Sequence, residues 1–316
     1  VFIKSISLHL DARVVLVEGY QDSSSRLPDF SDRVLKHISV PVRDAIWIKE
    51  SLINIGFHQL PPTWQYGAWI DRDVVFCNPN WIQETIEQLQ TCDLIQPWRE
   101  CCFLNDQHEH DPLEFGEWRV SKKDFAYSFC SVELSKHEHP SSPPRGYAHP
   151  GQAWAIRRDF FEKIGGLYDY SILGGGDGIL MYAIQGRIDH PSIQLQGKPA
   201  ITFVELLADC RIGYIHGLIL HYYHGSLAKR RYLSRLDLYR KHNFDPLTFL
   251  TRDTNQMLCL TEKGNIMAAD IRNYFSSREE DAPSNSGLSH EKSISRLPSW
   301  GSIPQTIRRF IRNLCT

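Results

Sequence analysis

Apolar positions along this chain switch between a period of two and a period near 3.6, and the switches mark out strands and helices in succession. The run ARVVLVEGY, from Ala12, reads as a short buried strand ending in a glycine turn. Apolar residues at helical spacing from Arg43 to Phe57 predict a helix, stopped by Pro61 and Pro62. YGAWI (Tyr66 to Ile70) predicts a strand leading into Asp71-Arg72-Asp73 and VVF, and Asn78-Pro79-Asn80 opens a helix expected from Trp81 to Leu89. DLIQPW (Asp93 to Trp98) is a further expected strand. From Glu100 to Pro150 the periodicity fades into a polar stretch rich in His, Pro and aromatics, which we read as a long functional insertion rather than core.

Regular structure is expected again at Gln152. AWAI predicts a strand, Arg158 to Ile164 a helix, Gly165 to Gly178 a glycine-rich segment, and Ile179 to Gln185 a second helix. IGYIHGLILHYYHG (Ile212 to Gly225) is strand-like, and Leu227 to Lys241 reads as a basic amphipathic helix. Beyond about Tyr274, Ser, Pro, Asn and charged residues dominate, predicting a disordered linker that ends in a short basic amphipathic helix, IPQTIRRFIRNLC. No internal repeat is present.

Strand and helix in alternation imply an α/β domain, expected over residues 1–255, with residues 256–316 as a partly disordered C-terminal extension. With 316 residues, 42% of them hydrophobic, the chain can bury one large α/β core. Lys and Arg total 35 against 37 Asp and Glu, so the net charge of −2 excludes a global pull towards nucleic acid or anionic lipid, and any anion site must be local. The eight cysteines form no CxxC pair and read as reduced thiols, which points to a cytoplasmic protein. No run approaches the roughly 18 apolar residues of a membrane-spanning helix, so membrane contact would be peripheral, through the C-terminal basic helix.

Candidate chemistry falls in three places. Asp71 and Asp73, two apart at the carboxyl end of a strand, would point to one face if the backbone stayed extended, and two hard oxygen ligands there suit Mg²⁺ or Mn²⁺ shared with a diphosphate. A solvated acidic pair is the alternative. In the second place, Gly174, Gly175 and Gly176 let backbone approach a ligand closely and deliver Asp177 at the mouth of a helix, as a general base or as a cap. Trp154, between Ala153 and Ala155, is a candidate wall of a sugar pocket, or core. The third is HYYHGSLAKRRYLSR: His224 is a candidate third metal ligand with His221 competing, and Lys229, Arg230, Arg231 and Arg235 could stabilise a leaving diphosphate or form a solvated face. The histidines at 108, 110, 137, 139 and 149 are too irregularly spaced for zinc and read as loop residues.

In order, IWIKESLINIGFHQLP, WIDRDVVFCNPNW, AWAIRRDFFEKIGGLYDYSILGGGD and HGSLAKRRYLSR with KHNFDP resemble the motifs of GT-A glycosyltransferases, closest to a bacterial and viral branch related to family 2. The resemblance covers roughly residues 12 to 250. It implies a GT-A fold, a twisted and mostly parallel sheet flanked by helices, and transfer of a sugar from a nucleotide-diphosphate donor, UDP-sugars first, to a glycan or other hydroxyl acceptor. By it, Asp71, Asp73 and His224 hold Mn²⁺ or Mg²⁺, Asp177 is the base, and Lys49, Arg230, Arg235, Trp154, Gly175 and Gly176 face the donor. The β-1,4-galactosyltransferases carry a comparable glycine-rich turn with an acidic base, which implies inversion. Three departures stand out: Gly178 follows Asp177 where the branch has an acidic residue or histidine, Arg72 sits inside the metal motif, and the branch's first strand, due before about residue 5, is not visible. The rival readings are an inactive descendant that binds sugar or a partner, and a glycoside hydrolase using Asp71 with Asp177.

Overall fold

A computed structural model describes residues 12–32, 34–104, 125–138, 147–222 and 234–278. The chain begins with β1 (Val15–Tyr20), β2 (Lys36–Pro41), α1 (Lys49–His58), β3 (Tyr66–Ile70), β4 (Val74–Phe76) and α2 (Trp81–Gln88). It continues through β5 (Leu94–Gln96), β6 (Glu100–Phe103), β7 (Phe125–Ser128), α3 (Phe129–Glu138), β8 (Tyr147–His149), β9 (Ala153–Arg157) and α4 (Arg158–Ile164). Next come α5 (Gly176–Ile184), α6 (Pro191–Gln194), α7 (Gly197–Leu206), β10 (Ile212–Tyr214) and β11 (Leu218–His221). Last are α8 (Ser234–His242), α9 (Pro246–Phe249), β12 (Leu250–Arg252), β13 (Leu258–Leu260) and α10 (Ala268–Ser276).

The architecture is α/β, with several sheets flanked by helices. Strands order as β1-β2, β10-β5-β9-β3, β4-β11-β6-β7-β8 and β12-β13. Pairing is mixed rather than mostly parallel: β9 runs against both β3 and β5, whereas β1 with β2, β10 with β5, and β11 with β6 are parallel. Side-chain period reports burial and not strand direction, so the pattern alone could not separate these pairings.

Both faces of the β10-β5-β9-β3 sheet are covered. Trp69, Leu94, Trp154 and Ile156 pack with Phe57 of α1 and with α4, α5 and α7 on one face. Tyr66, Ile70, Ile95 and Ala155 pack with Trp81 and Leu89 around α2 on the other. Trp69 and Trp154 sit opposite each other in register, with stacked rings 6.4 Å apart. Gly67 lets α1 come close, since a side chain there would overlap the ring of Phe57.

The strand expected from Tyr66 to Ile70 and the helix expected from Arg158 to Ile164 form with those bounds. Three expectations change. Helix α1 starts at Lys49, not Arg43. The stretch from 100 to 150 is not all insertion, because β6, β7 and α3 belong to the core, with Cys101, Cys102, Ala126, Phe129 and Cys130 almost wholly buried. Buried cysteines act there as small apolar residues, which a polarity reading misses. The division expected at residue 255 falls inside the paired hairpin of β12 and β13. Leu258, Leu260, Met267, Ile271 and Tyr274 then pack with Ile172, Leu173 and Tyr239 in one cluster. The C-terminal basic helix lies outside the described residues. Among the described residues no helix is long and apolar enough to cross a membrane, and the seven cysteines are free thiols.

A chain ended after Asn255 loses β13 and α10 and uncovers Ile172 and Leu173, so its denaturant transition is expected to collapse. The milder Ile271→Ala is expected to cost about 2–5 kcal/mol in the same measurement.

Candidate active site

Strand β3 ends at the Asp71-Arg72-Asp73 sequence, which is a turn and not extended backbone: the Val74 amide donates to the Asp71 carbonyl at 3.2 Å. Alternation therefore no longer sends the two aspartates to one face, and they take different partners. The Lys49 ammonium, on the first turn of α1, lies 2.8 Å from Asp71 Oδ1. Asp73 Oδ2 lies 3.3 Å from His221 Nε2. The second contact follows from sheet register, since His221 pairs with Val74 and the Tyr222 amide donates to the Asp73 carbonyl at 2.8 Å.

Asp177 arrives from the other side. Gly174 and Gly175 take φ of 83° and 92°, a left-handed conformation that favours glycine, and α5 then begins at Gly176 with Asp177 in its first turn. The helix start suits a carboxylate. Asp177 is not the cap, a position held by Gly175, and its Oδ2 lies 3.3 Å from the same Lys49 ammonium that binds Asp71. Lys49, Asp71 and Asp177 are 24%, 28% and 29% exposed, so the triad is screened less than a surface pair, for which about 0–1 kcal/mol is usual.

These partners leave marks on protonation. Burial works against the Lys49 ammonium, but Asp177 and Asp71 outweigh it and hold its pKa well above the ordinary value. Burial raises Asp71, opposed by Lys49 and reinforced by Asp177 and Asp73. Glu50, next to Lys49 and 5% exposed, is pushed up to about 8 by burial, with Lys49 opposing and the Asp177 charge adding to the rise. Its carboxyl fills the space that a side chain on Gly176 would need.

The glycine turn is anchored from several sides. Asn54 of α1 donates to the Leu167 carbonyl at 2.9 Å and accepts from its amide at 2.8 Å. Asp169, 4% exposed, accepts from Ser51 and from Arg252, each at 2.9 Å. The Leu173 amide donates to the Tyr239 hydroxyl at 3.2 Å. The Arg235 guanidinium of α8 occupies the space that a side chain on Gly175 would need. The opposite wall carries Phe103 between His149 and His221, with ring centroids 5.8 Å and 5.1 Å away. Gly151 lets Asp177 and His149 approach, since a Cβ there would lie 3.1 Å from an atom of each.

Lys49, Asp71, Asp73, Phe103, His149, Gly151, Gly175, Asp177, His221 and Arg235 line a cavity of about 2410 Å³, large enough for a nucleotide-sized ligand and more. The fold thus gathers Lys49, Asp71, Asp73, Asp177, Gly175, Gly176 and Arg235. Trp154 is not with them: it is fully buried against Trp69, its indole donates to the Pro150 carbonyl at 2.7 Å, and it is a core residue. His224 and Arg230 lie outside the described residues, as do the histidines at 108, 110 and 139. Sequence reasoning gave no role to Glu50 or Gly151 and read His149 as a loop residue, whereas His149 ends β8 at the cavity. The helical stripe gave no signal for Glu50, whose burial depends on an element 126 positions away. Among the described residues no three His, Cys, Asp or Glu side chains are set to hold a metal ion.

No family model matches the chain, and no curated protein sequence matches it. Among solved structures it is similar to the catalytic domain of Drosophila beta1,4galactosyltransferase 7, in complex with xylobiose, at 14% identity over 80% of this chain and 95% of that one, with a TM-score of 0.34. An overlap that low carries no argument about function.

Glu50→Gln gives a sign test of the electrostatics. A carboxyl whose pKa rises on folding from 4.5 to about 8 contributes stability that is full below 4.5 and lost as pH rises towards 8. Melting temperatures from pH 4.5 to 8 should therefore show the variant gaining on the native chain as pH rises; a constant difference would mean that Glu50 is not held protonated.

Proposed function

We propose that this chain is a GT-A-type glycosyltransferase that moves a sugar from a nucleotide-diphosphate donor to an acceptor hydroxyl, with inversion at the anomeric carbon. The observation that carries the reading is the meeting of Asp71 and Asp177 on one lysine at the floor of a large cavity, beside Asp73 and His221. In this reading Asp177 takes the proton of the acceptor hydroxyl as its oxygen bonds to the anomeric carbon. The bond from that carbon to the donor phosphate oxygen breaks, and its electron pair leaves with the nucleoside diphosphate. Lys49 holds Asp177 in place and ties it to the end of β3. Arg235, with Arg230 before it in sequence, faces the diphosphate and offsets its charge.

Asp73 and His221, with His224 three residues on, supply carboxylate and imidazole donors that fit Mn²⁺ and, less well, Mg²⁺. When bound, such an ion supplies Lewis-acid neutralisation of the diphosphate. Asp71, paired with Lys49, is then a neighbour of the ion and a partner of the lysine. UDP-sugars are the first donors to test, and a glycan hydroxyl is the expected acceptor class. The hydrolase reading is disfavoured because it places the glycosidic bond between its two carboxyls, whereas here the Lys49 ammonium bridges Asp71 and Asp177. The remaining alternative is a non-catalytic protein that binds sugar or a partner at the same site.

The reading is tested by thermal shift and donor hydrolysis with UDP-, GDP- and dTDP-sugars, with and without Mn²⁺. One donor is expected to raise the melting temperature only with metal, and Asp73→Asn is expected to abolish that rise. Asp177→Asn should keep the rise while cutting turnover by about 10²–10⁴-fold. Donor binding without turnover in the native chain would instead support the non-catalytic alternative.

A further inference from the structure

Two arginines reach one corner of the cavity from helices distant in sequence. Arg235 stands near the start of α8, and a Cβ on Gly174 would lie 3.7 Å from its Nη1 and 3.5 Å from the indole of Trp47. Arg278 lies just past the end of α10, its guanidinium carbon 5.7 Å from the centre of the Trp47 ring. Trp47 and Gly174 thus form a corner that both guanidiniums approach, and all four residues line the cavity. Helix α10 follows residue 255, so the segment expected as an extension reaches the site.

Aromatic packing holds Arg278 there. Besides Trp47, the rings of Tyr274 and Phe275 lie 5.5 Å and 5.7 Å from its guanidinium carbon. Such contacts draw a cation onto ring faces, while the hydrogen-bond donors of a guanidinium lie in its own plane. The indole N–H of Trp47 is buried and has no hydrogen-bond acceptor among the described residues. Buried donors are rarely left without a partner. Among the described residues that line the cavity the carboxylates are Asp71, Asp73 and Asp177, which Lys49 and His221 contact. Arg235 and Arg278 bring two further cations to the same space.

We propose that Arg278, together with Arg235, forms an oxyanion subsite of this cavity, taking a phosphoryl or carboxylate group of a substrate. Each guanidinium offers paired N–H donors that match two oxygens of either group, and one already held by rings loses little freedom on binding. A donor diphosphate and an acidic acceptor sugar both present such a group. The inference rests on the reading of this cavity as a glycosyltransferase site, and its test is chosen so that the two fail separately.

Isothermal titration in metal-free, low-salt buffer is run with inorganic pyrophosphate, with D-glucuronate and, as a neutral control, with D-glucose, on the native chain, Arg278→Gln and Arg278→Lys. Leaving out metal removes the ion through which Asp73 and His221 would hold a diphosphate. The native chain is expected to bind at least one of the two anions more tightly than glucose. Arg278→Gln is expected to weaken that binding about tenfold or more, and Arg278→Lys to recover part of it, because the charge returns without the fork. A loss confined to pyrophosphate assigns the subsite to the donor diphosphate, and a loss confined to glucuronate assigns it to an acidic acceptor. Equal anion binding by the native chain and Arg278→Gln overturns the proposal, as does a native chain that binds neither anion. A lowered melting temperature in Arg278→Gln, with no affinity recovered in Arg278→Lys, would mean that Arg278 only packs α10 in place, and overturns it too. The glycosyltransferase reading survives each of these failures, since its own test turns on metal and Asp73.

Discussion

A single ammonium ties the candidate site to the fold. Lys49 lies between Asp71, at the end of a central strand, and Asp177, in the first turn of a helix more than a hundred residues later. Burial and the Asp177 charge both raise the cost of ionising Asp71. Without the lysine, nothing among the groups acting on Asp71 would oppose that cost, and its carboxyl would take up a proton or turn away. The distance between the strand end and the glycine turn is therefore set by the reach of one side chain.

Helix α1 carries that lysine and also the groups that hold the glycine turn. Along it, Ser51 meets Asp169 and Asn54 meets both polar groups of Leu167. Glu50 fills the space beside Gly176. In the last turn of the helix Phe57 packs against Phe161 with ring centroids 4.3 Å apart. Two φ values near 90° would be unfavourable in a free turn for any residue but glycine. Here they persist because the backbone leading into the turn is bonded to α1 and α8, so Asp177 is presented by a braced turn.

Local order was legible in the residues themselves. Alternation in YGAWI, helical spacing after Arg158 and glycine punctuation at 174–176 each encode their own backbone, because the physics involved reaches only a few residues. That Asp71, Asp73 and Asp177 are candidates was also legible, since residue type and spacing carry it. Which partner each aspartate takes was not. The turn at Arg72, the pairing of His221 with Val74, the burial of Glu50 under Gly176 and the removal of Trp154 into the core all depend on contacts between segments distant in sequence. Sheet direction depends on them too. Periodicity records which face of an element is buried, and only the tertiary structure decides against what.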